Sequence, residues 1–184
     1  MVLAALAPLA NLCWRFLFDD LGANPIEEVS HVTGDWTLRF LLLSLAVTPA
    51  RRLLRLPALA LLRRGLGLTA FAWASLHLAT YVGLDLALDW NALLEDLRER
   101  RFVMAGFAAY CCLVPLALTS TRRSQRRLGR RWQQLHRLVY GSAALAIVHY
   151  LWLVKADLRP PLVYGAILAV LLGLRLRGRQ RRGC

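Results

Sequence analysis

Six runs rich in Leu, Ala, Val and Phe alternate along this chain with clusters of arginine, and that alternation restricts the possible folds more than any other feature. The runs are Val2–Phe18, Trp36–Pro49, Leu66–Leu84, Phe102–Leu118, Leu135–Val154 and Leu162–Leu174, each bounded by charge, Gly or Pro. A hydrocarbon layer about 30 Å thick asks for roughly 20 apolar residues per helix. The shorter second and sixth runs are therefore expected to extend into flanking turns whose arginines snorkel towards the headgroups. In 184 residues, six such spans leave only short connectors. The prediction is an all-α polytopic membrane bundle of six transmembrane helices, one domain over residues 1–184. An apolar share of 58% beside a net charge of +13 fits that architecture and excludes a disordered chain or a secreted disulfide scaffold.

Charge sets the expected orientation. Arg51, Arg52, Arg55, Arg63 and Arg64 separate the second and third runs, and Arg122, Arg123, Arg126, Arg127, Arg130 and Arg131 separate the fourth and fifth. Arg175, Arg177, Arg179, Arg181 and Arg182 follow the sixth. The alternate connectors hold the acids and only Arg98, Arg100, Arg101, Lys155 and Arg159 as cations. By the positive-inside rule the arginine-rich side is cytoplasmic, and both termini lie there. The first run lacks a basic leader and a small-residue cleavage site, so it reads as a retained span.

Several functions are disfavoured. No GxGxxG follows a strand pattern and no GxxxxGK occurs, so NAD(P)H or ATP has no familiar module to bind. The basic run from Arg122 to Arg131 is a juxtamembrane topology and lipid-headgroup feature rather than a nucleic-acid site. Cys13, Cys111 and Cys112 fall in apolar runs, Cys184 ends the chain, and no CxxC supports zinc or iron–sulfur ligation.

The histidines carry the chemistry. His77 falls in the third run, and His136 and His149 in the fifth, where an ionisable ring needs a hydrogen-bonding neighbour, a proton path or a metal. Small residues accompany them: Ala70 and Ala74 before His77, and Gly141 to Ala144 and Ala146 before His149. Such residues open a slot for a flat macrocycle, and they equally serve helix packing. Counted from the flanking cations at 1.5 Å per residue, His77 and His149 share the outer half of the bundle, whereas His136 lies towards the cytoplasmic face. Two imidazoles from facing helices fill both axial positions of a haem, which then exchanges single electrons without binding substrate. Interhelical hydrogen bonding in a structural core is the plain alternative.

His136 is some 140° from the His149 direction on an ideal helix. Its open roles are a second, inner haem, a quinone or flavin pocket, or a partly solvated interfacial residue. Arg63 stands fourteen residues before His77. It is open to contact with an inner haem or its propionates, or simply with water and lipid phosphate. His31 reads as a surface or boundary residue, and Asn24-Pro25 as a turn followed by a short helix.

A resemblance extends over nearly the whole chain. Gly22-Ala-Asn-Pro-Ile-Glu27 with His31-Val-Thr-Gly34, Leu45-Ala-Val-Thr-Pro49, Arg63-Arg-Gly-Leu-Gly-Leu68 and Phe71-Ala-Trp-Ala-Ser-Leu-His77 carry it. So do Leu118-Thr-Ser-Thr121, Leu128-Gly-Arg-Arg-Trp-Gln-Gln-Leu-His136 and His149-Tyr-Leu-Trp152. In these the sequence resembles the MsrQ (YedZ) family, the haem-binding membrane subunits of bacterial methionine sulfoxide reductase systems, within the ferric-reductase-like transmembrane group. Fuller members of that group carry two His on each of two helices, and this chain keeps three of the four. The resemblance implies haem b on His77 and His149, between the third and fifth helices, and an involvement of His136. It also implies FMN, quinol as electron source, and a periplasmic molybdenum-containing partner, MsrP, that reduces methionine sulfoxide in oxidised envelope proteins. The expected role is thus a non-catalytic electron relay in the inner membrane. A stand-alone ferric reductase, or a small transporter or assembly anchor with structural histidines, are the other readings.

Overall fold

The computed structural model describes residues 2–18 and 22–180. Among the described residues the fold is all-helical, with no strand. Each of the six apolar runs falls on a long helix, and three short helices lie in the connectors: α1 Val2–Leu17, α2 Pro25–Leu53, α3 Ala60–Thr80, α4 Trp90–Glu99, α5 Arg101–Leu118, α6 Arg122–Leu128, α7 Arg130–Leu135, α8 Leu138–Leu153 and α9 Arg159–Gln180.

Local chemistry explains most of the boundaries. Asn24 caps α2 by accepting from the Glu27 amide at 3.4 Å, Pro25 opens the helix, and Glu27 and Glu28 sit in its positive first turn. No proline intervenes before Pro49, and the helix passes through Gly34 unbroken. The short helix expected after Asn24-Pro25 therefore runs on into the second apolar run, giving 29 residues, roughly 44 Å. α3 ends in a π turn, Tyr81–Asp85, and the chain reverses through Ala87 and Leu88, both at positive φ. α4 then folds back at 115° to the preceding helix, capped by the Asp89 carboxylate, which accepts from Asn91 and Ala92 at 2.8 and 3.2 Å.

The fifth run begins three residues before its helix, α8, and His136 falls in the turn between α7 and α8. Gly129, at φ +50°, separates α6 from α7, and α7 ends at His136 before α8 begins at Leu138. His136 consequently lies outside the helix that holds His149, and an angle between them on a single ideal helix does not apply.

α2 pairs along its length with α3, and α5 with α8; α9 lies against α8 and α2. The core runs through both pairs, with Leu38, Leu41 and Leu45 of α2 meeting Trp73 of α3, Leu113 of α5 and Ile147 of α8. Fully buried Ala70, Ser142 and Ala143 bring backbones close, and Ser142 Oγ donates to the Ala109 carbonyl at 2.9 Å. Large apolar side chains cover much of the outside, including Leu43, Leu61, Phe107, Leu118, Val163 and Val170. Among the described residues, α5 is long and apolar enough to cross a membrane, and a second such span is counted when α3 and α4, with the turns between them, are taken as one bent span.

Candidate cofactor site

His77 and His149 face one another across the two helix pairs. Their ring centroids are 6.2 Å apart and the rings are nearly perpendicular, at 80°. Each ring is held through Nδ1 by a main-chain carbonyl of the partner helix: His77 by Ser30 at 3.0 Å, His149 by Phe102 at 2.7 Å. A carbonyl only accepts, so Nδ1 carries the proton in both rings and Nε2 keeps its lone pair. Thr33 Oγ1 lies 3.2 Å from the same His77 nitrogen and itself donates to the Val29 or Ser30 carbonyl.

The two attachments repeat one design. Each acceptor carbonyl precedes its histidine by 47 residues. One helical turn after each carbonyl comes a glycine, Gly34 or Gly106, and the imidazole occupies the space a side chain would need there. A Cβ on Gly34 would sit 3.2 Å from His77 Cε1, and one on Gly106 would sit 2.7 Å from His149 Nδ1. Glycine at both positions is what lets the rings press against the neighbouring helix backbone.

Both rings line a cavity of about 490 Å³ whose walls include Leu38, Ala74, Tyr81, Tyr110 and Ala146, a volume in the ordinary range for bound cofactors. Two imidazoles this close, each protonated on Nδ1 and with Nε2 left as a donor, could together hold one metal ion. Among the described residues no three His, Cys, Asp or Glu side chains converge to hold a metal ion. The pair therefore suits a metal that brings its own equatorial donors, and the donor chemistry fits a porphyrin iron.

His136 and Arg63 are elsewhere. They share a second cavity, about 320 Å³, with Arg64, Arg122, Gln125 and Trp132. His136 stacks on Trp132 at 3.8 Å between ring centroids, its Nδ1 is bonded to the Trp132 carbonyl at 3.1 Å, and its buried Nε2 has no partner. Trp132 is anchored in turn by Nε1 donating to Thr119 at 2.9 Å. His31 lies 3.6 Å from the Glu27 carboxylate, half exposed on the wall of the first cavity.

Sequence reasoning missed an ion pair in the first half of α2. Arg39 donates to Asp35 at 2.9 Å and to the Tyr164 hydroxyl of α9 at 3.0 Å, and its guanidinium lies over Trp36 at 4.9 Å. The i, i+4 spacing of Asp35 and Arg39 was the available signal. Asp35 follows Gly34 directly and shares the first cavity with His77.

The ferric reductase like transmembrane component family matches residues 33–148, which includes both glycines, His77 and His136 and stops one residue before His149. A protein-methionine-sulfoxide reductase haem-binding subunit MsrQ of Caulobacter vibrioides is 50% identical over 171 residues, covering 92% of this chain and 81% of that protein. The chain belongs to the MsrQ family. A second MsrQ, from Xanthomonas euvesicatoria pv. vesicatoria, is 49% identical over 179 residues, 94% of this chain and 82% of its own length. MsrQ relatives thus span both helix pairs and the connector holding His136. No solved structure matches.

Proposed function

We propose that this chain is a haem b membrane subunit that relays electrons from the quinol pool to a periplasmic molybdenum-containing methionine sulfoxide reductase, MsrP, and does not itself bind the final substrate. The observation that carries the reading is the pair of Nδ1-anchored imidazoles 6.2 Å apart in one cavity. The names of the MsrQ relatives, haem-binding subunits of a methionine sulfoxide reductase, support it.

In this reading His77 and His149 hold the iron through Nε2, and the Ser30 and Phe102 carbonyls fix the tautomer that leaves that nitrogen free. The haem supplies a one-electron iron couple. An iron held by both His77 and His149 would have no open position for a small molecule, which suits a carrier better than a catalyst. Gly34 and Gly106 let both rings reach their carbonyls. His136 and Arg63 line the second cavity, where they would serve a second, inner haem or a quinone or flavin pocket. Quinol and FMN enter from the family resemblance. The single domain is set in the bacterial inner membrane as six spans with both termini cytoplasmic, which the arginine bias and the apolar exterior support.

The test is a reduced-minus-oxidised visible spectrum of the purified chain. A b-type signal is expected in the wild type and its loss in His77→Ala and in His149→Ala; full haem in both variants would overturn the ligation. Quinol-driven reduction followed by reoxidation on adding MsrP distinguishes the relay from a stand-alone ferric reductase, which would pass its electrons to iron instead.

A further inference from the structure

The first cavity is polar and exposed at one end only. Asn24, Glu27 and His31 at the head of α2, Asp85 of the π turn and Arg100 at the junction of α4 with α5 form that mouth, where α2 and α5 begin and α3 ends. Buried Leu41, Ala74 and Leu113 line the cavity farther in. His77 stands between the two, about one helical turn beyond Ala74 and one turn short of Tyr81.

Haem is polarised in the same sense, an apolar macrocycle with two propionate carboxylates on one edge. Burying a carboxylate among leucines is costly, so that edge belongs at the mouth. The mouth already holds carboxylates, of which Glu27 lies 3.6 Å from His31 and Asp35, just inside, is held by Arg39 at 2.9 Å. A further anion there needs a fixed cation. Arg100 brings the one guanidinium among the lining residues, a group charged throughout the working pH range.

Arg100 is held in place from behind. Its Nε lies 2.9 Å from Oδ1 of Asp96, one turn earlier on α4, and the other oxygen of that buried carboxylate accepts from the Tyr81 hydroxyl. Tyr81 follows His77 by four residues, and Arg100 precedes by two the Phe102 carbonyl that holds His149. The Tyr81–Asp96–Arg100 chain thus joins the segments that carry both imidazoles. Asp96 takes the Nε of the guanidinium, and neither Nη makes a hydrogen bond among the described residues, which leaves the paired N–H donors that match a second carboxylate.

We propose that Arg100 holds a haem propionate at the mouth of the first cavity, with Asp96 and Tyr81 positioning its guanidinium. This role rests on the haem reading of His77 and His149 and adds the direction in which the macrocycle faces.

Haem release from the purified full chain to excess apomyoglobin tests it, measured with haem b and with its dimethyl ester, whose propionates carry no charge. Arg100→Gln is expected to speed release of haem b about tenfold or more and to leave release of the ester unchanged. Tyr81→Phe is expected to act in the same direction by a smaller factor, again with haem b alone. Arg98→Gln, exposed on α4 and outside the cavity lining, is expected to change neither rate. A cation beside the haem disfavours the ferric charge, so a redox titration is expected to show a lower midpoint potential in Arg100→Gln and a retained one in Arg100→Lys. Unchanged release of haem b in Arg100→Gln overturns the role, and so does equal acceleration of haem and ester, which marks a packing defect. If that happens while His77→Ala and His149→Ala still lose the b-type signal, the propionate role fails alone; full haem in both histidine variants removes the haem reading itself.

Discussion

The imidazole of His149 occupies the space of the side chain that Gly106 lacks: a Cβ there would sit 2.7 Å from Nδ1, inside van der Waals contact. The same ring nitrogen is bonded to the Phe102 carbonyl, one helical turn earlier on α5. Backbone and ring are therefore fitted to each other, and a methyl group at position 106 must push the imidazole off its carbonyl. Gly106→Ala is expected to lose more than about half of the bound haem. Quantifying haem per chain checks this, and full occupancy would count against the fit.

Gly34→Ala should be milder, because the corresponding contact with His77 Cε1 is 3.2 Å and the ring needs to give only a few tenths of an ångström. Haem is expected to stay, with the low-spin ferric spectrum altered by a tilted or weakened His77 to Ser30 bond. Electron paramagnetic resonance reads that change directly. An unaltered signal would mean that the bond does not set the ligand field.

His136→Ala is expected to keep the outer haem, since His136 lies in the other cavity and its ring contacts Trp132 rather than His77 or His149. The difference spectrum should retain its outer-haem amplitude while His77→Ala loses it. Loss of that signal in both would show that the cavities are coupled.

Leu41 is 1% exposed, at the point where the two helix pairs meet. Leu41→Ala should lower stability by about 2–5 kcal/mol through the cavity it leaves. Thermal unfolding in detergent measures it, and Leu43→Ala, on the exposed side of the same helix, serves as the near-neutral comparison.

Arg39→Gln leaves Asp35 without its cation and Tyr164 without its donor. Both groups of the pair are partly exposed, so a coupling of about 1 kcal/mol is expected from the Arg39→Gln, Asp35→Asn double-mutant cycle. Additive losses would mean the pair contributes no more than two separate side chains.

The six apolar runs are legible as helices because charge, Gly and Pro mark their edges, and the shared depth of His77 and His149 is legible because counting from Arg64 and from Lys155 puts both in the same half of the bundle. What escaped were relations between backbone atoms. Nothing in the residue types of Ser30 or Phe102 announces that their carbonyls will hold a histidine 47 residues later. Gly34 and Gly106 read as ordinary membrane glycines until the neighbouring ring is in place. His136 reads as part of the fifth span because that run starts at Leu135, whereas α8 starts at Leu138; the turn shows only in the hydrogen bonds from the His136 and Arg137 amides to Trp132 and Gln134. Asp35 reads as a connector residue because the second apolar run starts at Trp36, whereas α2 begins eleven residues earlier, at Pro25.

His77 reaches the outer cavity from the α2–α3 hairpin and His149 from the α5–α8 hairpin, each already aligned by its own partner helix. An iron gripped from both sides would act as a rivet between two preassembled plates. Bound there, it would reinforce the contacts that already cross the Leu41 and Leu45 seam, such as Ser75 to Tyr110 at 3.1 Å, so cofactor delivery would add stability to the assembled fold.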